Sequence, residues 1–169
     1  DQTIRIGLIG AGGNTRSRHI PGFREQSNIE VVAVANRTRA SGQQVADEFG
    51  IPTVYDNWQD LLADPNIDAV CIGTWPYMHR TLLIASLEAG KHVLCEARMA
   101  MDLGEAQEML AASQEHPTLV AQIVPAPHTL AFDRTIQGMI ADGYIGDIIT
   151  VDARIAANRA FPDAGGDVH

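Results

Sequence analysis

Short apolar runs alternate with amphipathic segments along the chain up to residue 123. The apolar runs are rich in Val and Ile, which is typical of strands that are covered on both faces of a sheet. They predict strands at residues 3–9, 29–35, 53–55, 69–73, 92–95 and 119–123. Helical patterns lie between them, at residues 15–26, 40–49, 58–63, 77–89 and 103–114. Strands that alternate with helices in this way predict an α/β fold with a doubly wound parallel sheet.

Two glycines and one proline bear on where the predicted helices end. Gly50 and Gly90 directly follow predicted helices, at the position where a left-handed residue closes the last turn. We therefore expect both helices to end there. Pro21 falls inside the first predicted helix, and we expect it to kink or end that helix, because proline has no amide hydrogen and its ring clashes with the preceding turn.

The pattern changes after residue 123. The segment VPAPH carries two prolines, a helical pattern follows at residues 130–141, and residues 148–156 alternate like a strand. One helix and one strand cannot enclose a core. We therefore divide the chain into a first domain, residues 1–123, and the beginning of a second α/β domain, residues 124–169, and we expect the chain to be truncated.

Composition and charge narrow the function classes. Apolar residues make up 46% of the chain and charged residues 20%, which is typical of a globular protein. The net charge of −9 argues against a nucleic-acid partner or an anionic membrane surface, and no apolar run approaches the roughly 20 residues that span a bilayer. Because the N-terminus shows no secretory signal pattern, we expect a soluble cytoplasmic protein. Cys71 and Cys95 lie in apolar runs without metal-ligand spacing, so we expect buried thiols and no metal site.

A glycine-rich turn follows the first predicted strand, where Gly10, Gly12 and Gly13 precede Asn14 and Thr15. Glycine allows a sharp turn and lets backbone amide groups approach a ligand, and the positive end of the following helix points to the same place. The turn matches the first two-thirds of the G-x-G-x-x-G fingerprint, with Thr15 in the third glycine position. We therefore expect these five residues to bind the diphosphate of a dinucleotide. The alternative is a tight structural turn.

The segment after the second predicted strand bears on which dinucleotide binds. It reads Asn36, Arg37, Thr38 and Arg39, where NAD sites usually carry an acidic residue for the ribose hydroxyls. A guanidinium flanked by amide and hydroxyl groups suits a 2′-phosphate instead. Asn36, Arg37 and Thr38 are therefore candidate cofactor residues, and we expect NADP to be preferred over NAD. The alternative is that both arginines are solvated loop charges.

Residues 71–100, CIGTWPYMHRTLLIASLEAGKHVLCEARMA, resemble the Gfo/Idh/MocA oxidoreductases. That family has a strand ending in Thr-Pro, a His five residues after the Thr, and an Ala-Gly-Lys-His-Val strand that ends in Glu-Lys-Pro. The matching residues here are Thr74, with Trp75 before Pro76, His79, and the Ala-Gly-Lys-His-Val segment at 89–93. The resemblance extends over roughly residues 3–150.

The resemblance implies a Rossmann-type first domain and a C-terminal α/β domain with a large open sheet that commonly forms the oligomer interface. It also implies an NADP(H)- or NAD(H)-dependent oxidoreductase that acts on a hydroxyl or carbonyl carbon of a sugar-, cyclitol- or polyol-like small molecule. Residues 124–169 then begin the substrate and oligomerisation domain, and we expect a homo-oligomer through the missing C-terminal sheet. The 169-residue chain alone is expected to be inactive.

The chain departs from this family where it reads Glu96-Ala97-Arg98 instead of Glu-Lys-Pro. The family's lysine lies near the nicotinamide and the reacting hydroxyl, and Ala97 can neither polarise that hydroxyl nor transfer a proton. Arg98 supplies a charge but is a poor general acid. Glu96 and Arg98 are the catalytic candidates, and Glu96 is also a candidate ligand for a ribose hydroxyl. The alternative function is a dinucleotide-binding sensor or partner protein without ordinary redox catalysis.

The end of the fourth predicted strand supplies further cofactor candidates. Thr74, Trp75 and Pro76 lie at the sheet edge where open α/β proteins bind ligands. Trp75 either stacks on or covers the cofactor, or it is a hydrophobic lid against the second domain. His79, near a helix start, either contacts the cofactor or caps the helix, and Gln122 at the end of the sixth strand is a further cofactor candidate.

Overall fold

The computed structural model describes residues 3–125 and 132–152. The chain divides into two units, Asp1–Ala126 and Pro127–His169. The first unit contains a six-stranded sheet in which every neighbouring pair is parallel. Its strands are β1 (Ile4–Ile9), β2 (Ile29–Ala35), β3 (Thr53–Tyr55), β4 (Ala69–Ile72), β5 (His92–Cys95) and β6 (Ala121–Ile123).

The strands lie in the order β3-β2-β1-β4-β5-β6. The chain runs outward from β1 to β3 and then crosses back to β4 on the other side of β1. This change of direction opens a crevice at the carboxyl ends of β1 and β4, where doubly wound sheets bind ligands. The predicted Rossmann-type fold with a parallel sheet is confirmed.

Helices connect the strands of the first unit. They are α1 (Ile20–Arg24), α2 (Arg39–Phe49), α3 (Trp58–Ala63), α4 (His79–Glu88) and α5 (Leu103–Glu115). Gly50 and Gly90 follow α2 and α4 closely, with φ of 60° and 74°, which confirms that left-handed glycines close these helices.

The helical segment predicted at residues 15–26 is present over residues 15–24, but it is not one regular α-helix. Thr15–His19 forms a π-helical turn, and α1 begins only at Ile20. Pro21 is the second residue of α1 and directly follows the π-helical turn, in which the Ile20 amide donates to the Thr15 carbonyl oxygen. The helix does not end at Pro21 but continues to Arg24. A short 3₁₀ turn, Pro76–Met78, likewise precedes α4.

Both faces of the sheet bury apolar side chains. Leu8 and Cys71 belong to the cluster that packs with α1 and α2, whereas Ile9 and Ile72 belong to the cluster that packs with α3, α4 and α5. This alternation arises because successive strand residues point to opposite faces. Complete burial of each such aliphatic side chain stabilises the fold by about 1.5–3 kcal/mol. Coverage on both sides explains why the strands are almost continuously apolar.

The second unit contains helix α6 (Asp133–Ala141) in its described part. The strand predicted at residues 148–156 is not present over residues 148–152, and the rest of it lies outside the described residues. A strand needs a hydrogen-bonded neighbour, and none is present in this unit's described part. Residues 130 and 131 of the predicted helix also lie outside it. Across the described ranges, every helix is too short or too polar to span a bilayer.

Candidate functional site

The glycine turn begins directly after β1. Gly10 has a φ of 83°, in the left-handed region, and a Cβ atom there would lie 2.5 Å from Cγ2 of Thr74. The Gly12 amide donates a hydrogen bond to the Gly10 carbonyl oxygen at 3.0 Å, which closes the turn. A side chain at Gly12 or Gly13 would meet no atom within 4 Å. Gly10 is therefore required by backbone geometry, whereas Gly12 and Gly13 leave the outside of the turn open.

Asn36, at the end of β2, holds this turn in place. Its Oδ1 atom accepts a hydrogen bond from the Ala11 amide at 2.7 Å. The side-chain carbonyl that we expected to face a cofactor is thus engaged with the protein backbone. Asn36 nevertheless contributes to the wall of the cavity that the turn opens onto.

Thr15, in the third fingerprint position, is almost completely buried. Its hydroxyl donates to the Gly10 carbonyl oxygen at 3.3 Å. A Cβ atom at Gly73, directly after β4, would lie 2.1 Å from Oγ1 of Thr15. The close packing that the third glycine usually allows is therefore provided here by Gly73. The Thr15 hydroxyl contacts the main chain of the turn, and Thr15 does not line the cavity.

A cavity of about 590 Å³ lies at the carboxyl edge of the sheet. Among the candidate residues, its walls include Gly10, Gly12, Asn36, Arg37, Thr74 and Trp75. The cavity wall also includes residues for which the sequence predicted no role, namely Ala11, Ser41, Asp56, Asn57, Trp58 and Tyr77. Asp56 and Asn57 directly follow β3. Because all six strands are parallel, the end of β3 lies at the same edge as the glycine turn, and this signal was available from the predicted strand.

The other candidate residues do not line the cavity. Thr38 caps α2, since its Oγ1 accepts the Ser41 amide at 3.3 Å. Pro76 begins the 3₁₀ turn before α4. Gln122 is exposed on β6, the edge strand farthest from β3. Gly13, Asn14, His79, Glu96 and Arg98 lie near the turn or the end of β5 but outside the cavity wall.

His79 is completely buried and joins two loops. Its Nε2 atom lies 2.9 Å from the Thr74 carbonyl oxygen, and its Nδ1 atom lies 2.7 Å from the Arg98 carbonyl oxygen. The ring thus bridges the loops that follow β4 and β5. His79 fixes the backbone beside Thr74 and has no exposed surface with which to contact a ligand.

Glu96 is the centre of a polar cluster after β5. Its Oε1 atom lies 2.5 Å from Nε2 of His19 and accepts a hydrogen bond from the Asn14 side-chain amide, while Oε2 accepts the Ala97 amide at 3.0 Å. Partial burial raises the pKa of Glu96, but the hydrogen bonds from His19, Ala97 and Asn14 outweigh it and lower that pKa below its ordinary value. Sequence reasoning did not pair His19 with Glu96, because the two residues lie 77 positions apart in the chain.

The residues after Glu96 offer little general acid chemistry. Ala97 and Arg98 are exposed, and the Arg98 carbonyl oxygen is hydrogen-bonded to His79.

Within the described ranges, no three His, Cys, Asp or Glu side chains form a group that could hold a metal ion. Cys71 and Cys95 are buried free thiols that belong to the clusters on opposite faces of the sheet.

The Thr74 hydroxyl is buried at the cavity wall and has no hydrogen-bond partner in the described part of the chain. Buried polar groups are nearly always paired, and leaving one unpaired costs about 1–3 kcal/mol. Thr74 is thus a cavity-lining residue whose hydroxyl, among the described residues, is left without a partner beside the glycine turn.

Comparisons with known proteins agree with this geometry. The sequence profile of an oxidoreductase family with an NAD-binding Rossmann fold, GFO_IDH_MocA, matches residues 4–123. A 1,5-anhydro-D-fructose reductase from Ensifer adhaerens is 36% identical over 145 residues, which are 84% of this chain and 42% of that protein. An uncharacterized oxidoreductase from Rhizobium meliloti is 32% identical over 145 residues, which are 86% of this chain and 43% of that protein.

Solved structures give the same result. Myo-inositol 2-dehydrogenase from Lactobacillus plantarum superposes with a TM-score of 0.73 at 27% identity, over 88% of this chain and 44% of that one. A point variant of a 3-ketoreductase from Actinomadura kijaniata, in complex with TDP-benzene and NADP, superposes with a TM-score of 0.75 at 28% identity, over 87% of this chain and 46% of that one. The chain thus spans less than half the length of each of these relatives.

Proposed function

This chain belongs to the Gfo/Idh/MocA family of NAD(P)-binding oxidoreductases, and from that premise we propose that it is the coenzyme-binding part of an NADP(H)-dependent enzyme. The substrate class is a sugar-, cyclitol- or polyol-like molecule that carries the reacting hydroxyl or carbonyl. Two relatives support this class by their names, which refer to 1,5-anhydro-D-fructose and to myo-inositol. The bound nicotinamide supplies the hydride chemistry, and the protein binds and orients it.

The unpartnered Thr74 hydroxyl, at the wall of the cavity onto which the glycine turn opens, carries the proposal. The outer side of Gly12 and Gly13 leaves room for a diphosphate against the backbone amides at the start of the helical segment. We expect the Thr74 side chain to rotate when the coenzyme binds, so that its hydroxyl, which is buried in the chain alone, gains a polar partner from the coenzyme. His79 stabilises this arrangement, because its Nε2 atom is hydrogen-bonded to the Thr74 carbonyl oxygen and fixes the backbone there.

Preference for NADP over NAD is assigned to Arg37. This residue lines the cavity, and no acidic side chain in the described part of the chain forms an ion pair with it. Arg39, in contrast, forms an ion pair with Asp56. A guanidinium without a carboxylate partner is available to bind a 2′-phosphate through two parallel hydrogen bonds.

Calorimetry with NADPH and NADH tests the proposal. Gly12→Val places a side chain where the diphosphate is expected and lowers NADPH affinity at least about tenfold, because it removes charge-assisted hydrogen bonds worth about 1.5–3 kcal/mol each. Gly22→Val is the matched control, since a Cβ atom at Gly22 would also meet no atom within 4 Å and Gly22 lies outside the cavity. Absence of binding by both coenzymes to the folded wild-type chain contradicts the proposal.

Arg37→Ala tests the coenzyme preference separately. The ratio of NADPH affinity to NADH affinity falls in this variant, because NADH carries no 2′-phosphate for the guanidinium to bind. An unchanged ratio removes Arg37 from this role.

We also propose that residues 1–123 bind the coenzyme and that residues 124–169 begin a substrate and oligomerisation domain.

Ala97 favours a second candidate function, a dinucleotide-binding sensor or partner protein without ordinary redox catalysis. Ala97 is exposed and carries no group that transfers a proton, and the neighbouring Arg98 guanidinium is a poor general acid. NADPH oxidation with a panel of sugars and cyclitols, measured on a chain of the family's full length, separates the two candidates. Tight binding without turnover, followed by turnover in Ala97→Lys, favours the sensor.

A further inference from the structure

A carboxylate lines the cavity although the end of β2 carries none. Ala35 of β2 pairs with Tyr55 of β3 in the parallel register, so Asn36 and Asp56 leave the sheet side by side at the same edge. Among the residues that line the cavity in the described part of the chain, Asp56 is the one acidic residue and Arg37 the one basic residue. A carboxylate therefore lies at the end of the neighbouring strand, next to the end of β2, where NAD sites usually carry an acidic group.

Asp56 is held by Arg39. The Nη1 atom of Arg39 donates to Oδ1 of Asp56 at 3.0 Å and to the Val54 carbonyl oxygen at 3.4 Å. The two side chains are 59% and 67% exposed. Solvent-exposed ion pairs of this kind stabilise the fold by at most about 1 kcal/mol. A bound anion therefore needs little free energy to displace Asp56 from the Arg39 guanidinium.

Other polar groups near Asp56 are already engaged. The Asn57 side chain caps α3, because its Oδ1 accepts the Asp60 amide at 2.8 Å. The Ser41 hydroxyl donates to the Thr38 carbonyl oxygen at 2.9 Å. Arg39 does not line the cavity while it pairs with Asp56. This leaves the Asp56 carboxylate and the Arg37 guanidinium as the charged groups that meet the adenosine end of a coenzyme.

We propose that Asp56 and Arg39 form a specificity pair for the adenosine end of the coenzyme, an inference that rests on the proposed function. Asp56 holds Arg39 away from the cavity and therefore limits the preference for NADP. A 2′-phosphate carries about two negative charges and is repelled by Asp56 unless Arg39 neutralises it. The ribose hydroxyls of NAD, in contrast, donate hydrogen bonds to a carboxylate.

Asp56→Asn tests this pair. The substitution releases Arg39 to bind the 2′-phosphate, so the ratio of NADPH affinity to NADH affinity rises at least about fivefold at low salt. Arg39→Ala has the opposite effect, because it leaves Asp56 uncompensated. The double variant Asp56→Asn/Arg39→Ala loses most of the gain, since the released guanidinium is absent. Both dissociation constants are measured by calorimetry, and the fold is checked by circular dichroism.

Glu48→Gln is the matched control. It removes one negative charge from another exposed ion pair, with Arg16, at a residue that does not line the cavity. The inference is supported when the affinity ratio rises in Asp56→Asn and stays at the wild-type value in Glu48→Gln. Binding of both coenzymes with equal ratios in these two variants overturns the inference and leaves the proposed function standing. Failure of the wild-type chain to bind either coenzyme overturns both.

Discussion

The Nε2 atom of His19 lies 2.5 Å from Oε1 of Glu96, and the two side chains are only 12% and 14% exposed. His19 ends the π-helical turn that follows the glycine turn, whereas Glu96 follows β5. This contact, together with the Asn14 side-chain amide, joins the start of the first helical segment to the other half of the sheet. The cluster therefore fixes the position of the glycine turn relative to β5.

Removing His19 is expected to raise the pKa of Glu96. Burial already favours the protonated carboxyl, and in His19→Ala only the Ala97 and Asn14 hydrogen bonds oppose it. Carbon-detected NMR titration of Glu96 measures this change. His116→Ala, a histidine substitution away from the cluster, leaves the pKa of Glu96 at its wild-type value. A lowered or unchanged Glu96 pKa in His19→Ala contradicts the assigned contact.

The same pair has a consequence for stability. The pKa of Glu96 is lower in the folded chain than its ordinary 4.5, so the ionised Glu96 carboxylate stabilises the fold above about pH 4.5. This stabilisation is lost as the pH falls through the lowered pKa. His19→Ala therefore shows a weaker loss of stability than the wild type when urea unfolding is followed from pH 7 to pH 3.

A methyl group at Gly73 is expected to destabilise the chain. Its Cβ atom would lie 2.1 Å from Oγ1 of Thr15 and 2.6 Å from the Gly10 carbonyl oxygen. Overpacking of this kind costs about 1–3 kcal/mol. Urea unfolding of Gly73→Ala measures the cost, and Thr15→Ala in the same chain recovers part of it because the clash with the hydroxyl is removed. Gly22→Ala, with no atom within 4 Å, is the control. Wild-type stability in Gly73→Ala would show that the two positions are not in contact.

Acid sensitivity is expected to arise in part from the ion pair between Arg5 and Asp68. The Nε and Nη2 atoms of Arg5 donate to the carboxylate at 2.9 and 2.8 Å, and these side-chain hydrogen bonds lower the pKa of Asp68 to about 2. Since the ordinary value is 3.8, the stabilisation is complete above about pH 4 and is lost as the pH falls through 2. Asp68→Asn thus loses about 1 kcal/mol at pH 7, a value limited by solvent screening, and less at pH 2.

Urea unfolding between pH 7 and pH 2 measures this difference. Asp47→Asn removes the same charge from an exposed carboxylate that accepts a hydrogen bond from Gln43 rather than from a cation. Equal pH profiles for the two variants would assign the acid sensitivity to net charge instead of to the ion pair.

The two cysteines are expected to be unreactive in the folded chain. Burial raises the pKa of both Cys71 and Cys95 to about 12, so the thiolate is scarce at pH 8. A disulfide-exchange reagent should modify neither thiol under native conditions and both in urea, with mass spectrometry as the readout. Rapid native modification of either thiol would show that its strand opens. Because the two residues belong to clusters on opposite faces of the sheet, oxidation is expected to yield no intramolecular disulfide.

Several local features of this chain follow from the sequence by itself. The apolar run of β2 and the short strand β3 were predicted with their observed bounds, and Gly50 and Gly90 have the expected left-handed conformation. The glycine turn also follows β1 as predicted. These features depend on residues that are close in the chain, because apolar periodicity and positive φ are properties of short segments. The family, too, could be identified from residues 71–100, and the matching profile confirms it.

Only the tertiary structure decided which side chains meet at the candidate site. The contact between His19 and Glu96, the close approach of Gly73 to Thr15, and the ion pair between Arg39 and Asp56 all join distant parts of the chain. Each depends on the strand order and on the register between neighbouring strands, which are set by the packing of both apolar clusters together. A residue's type determines which bonds it can form, but the register of the sheet determines which partner it finds.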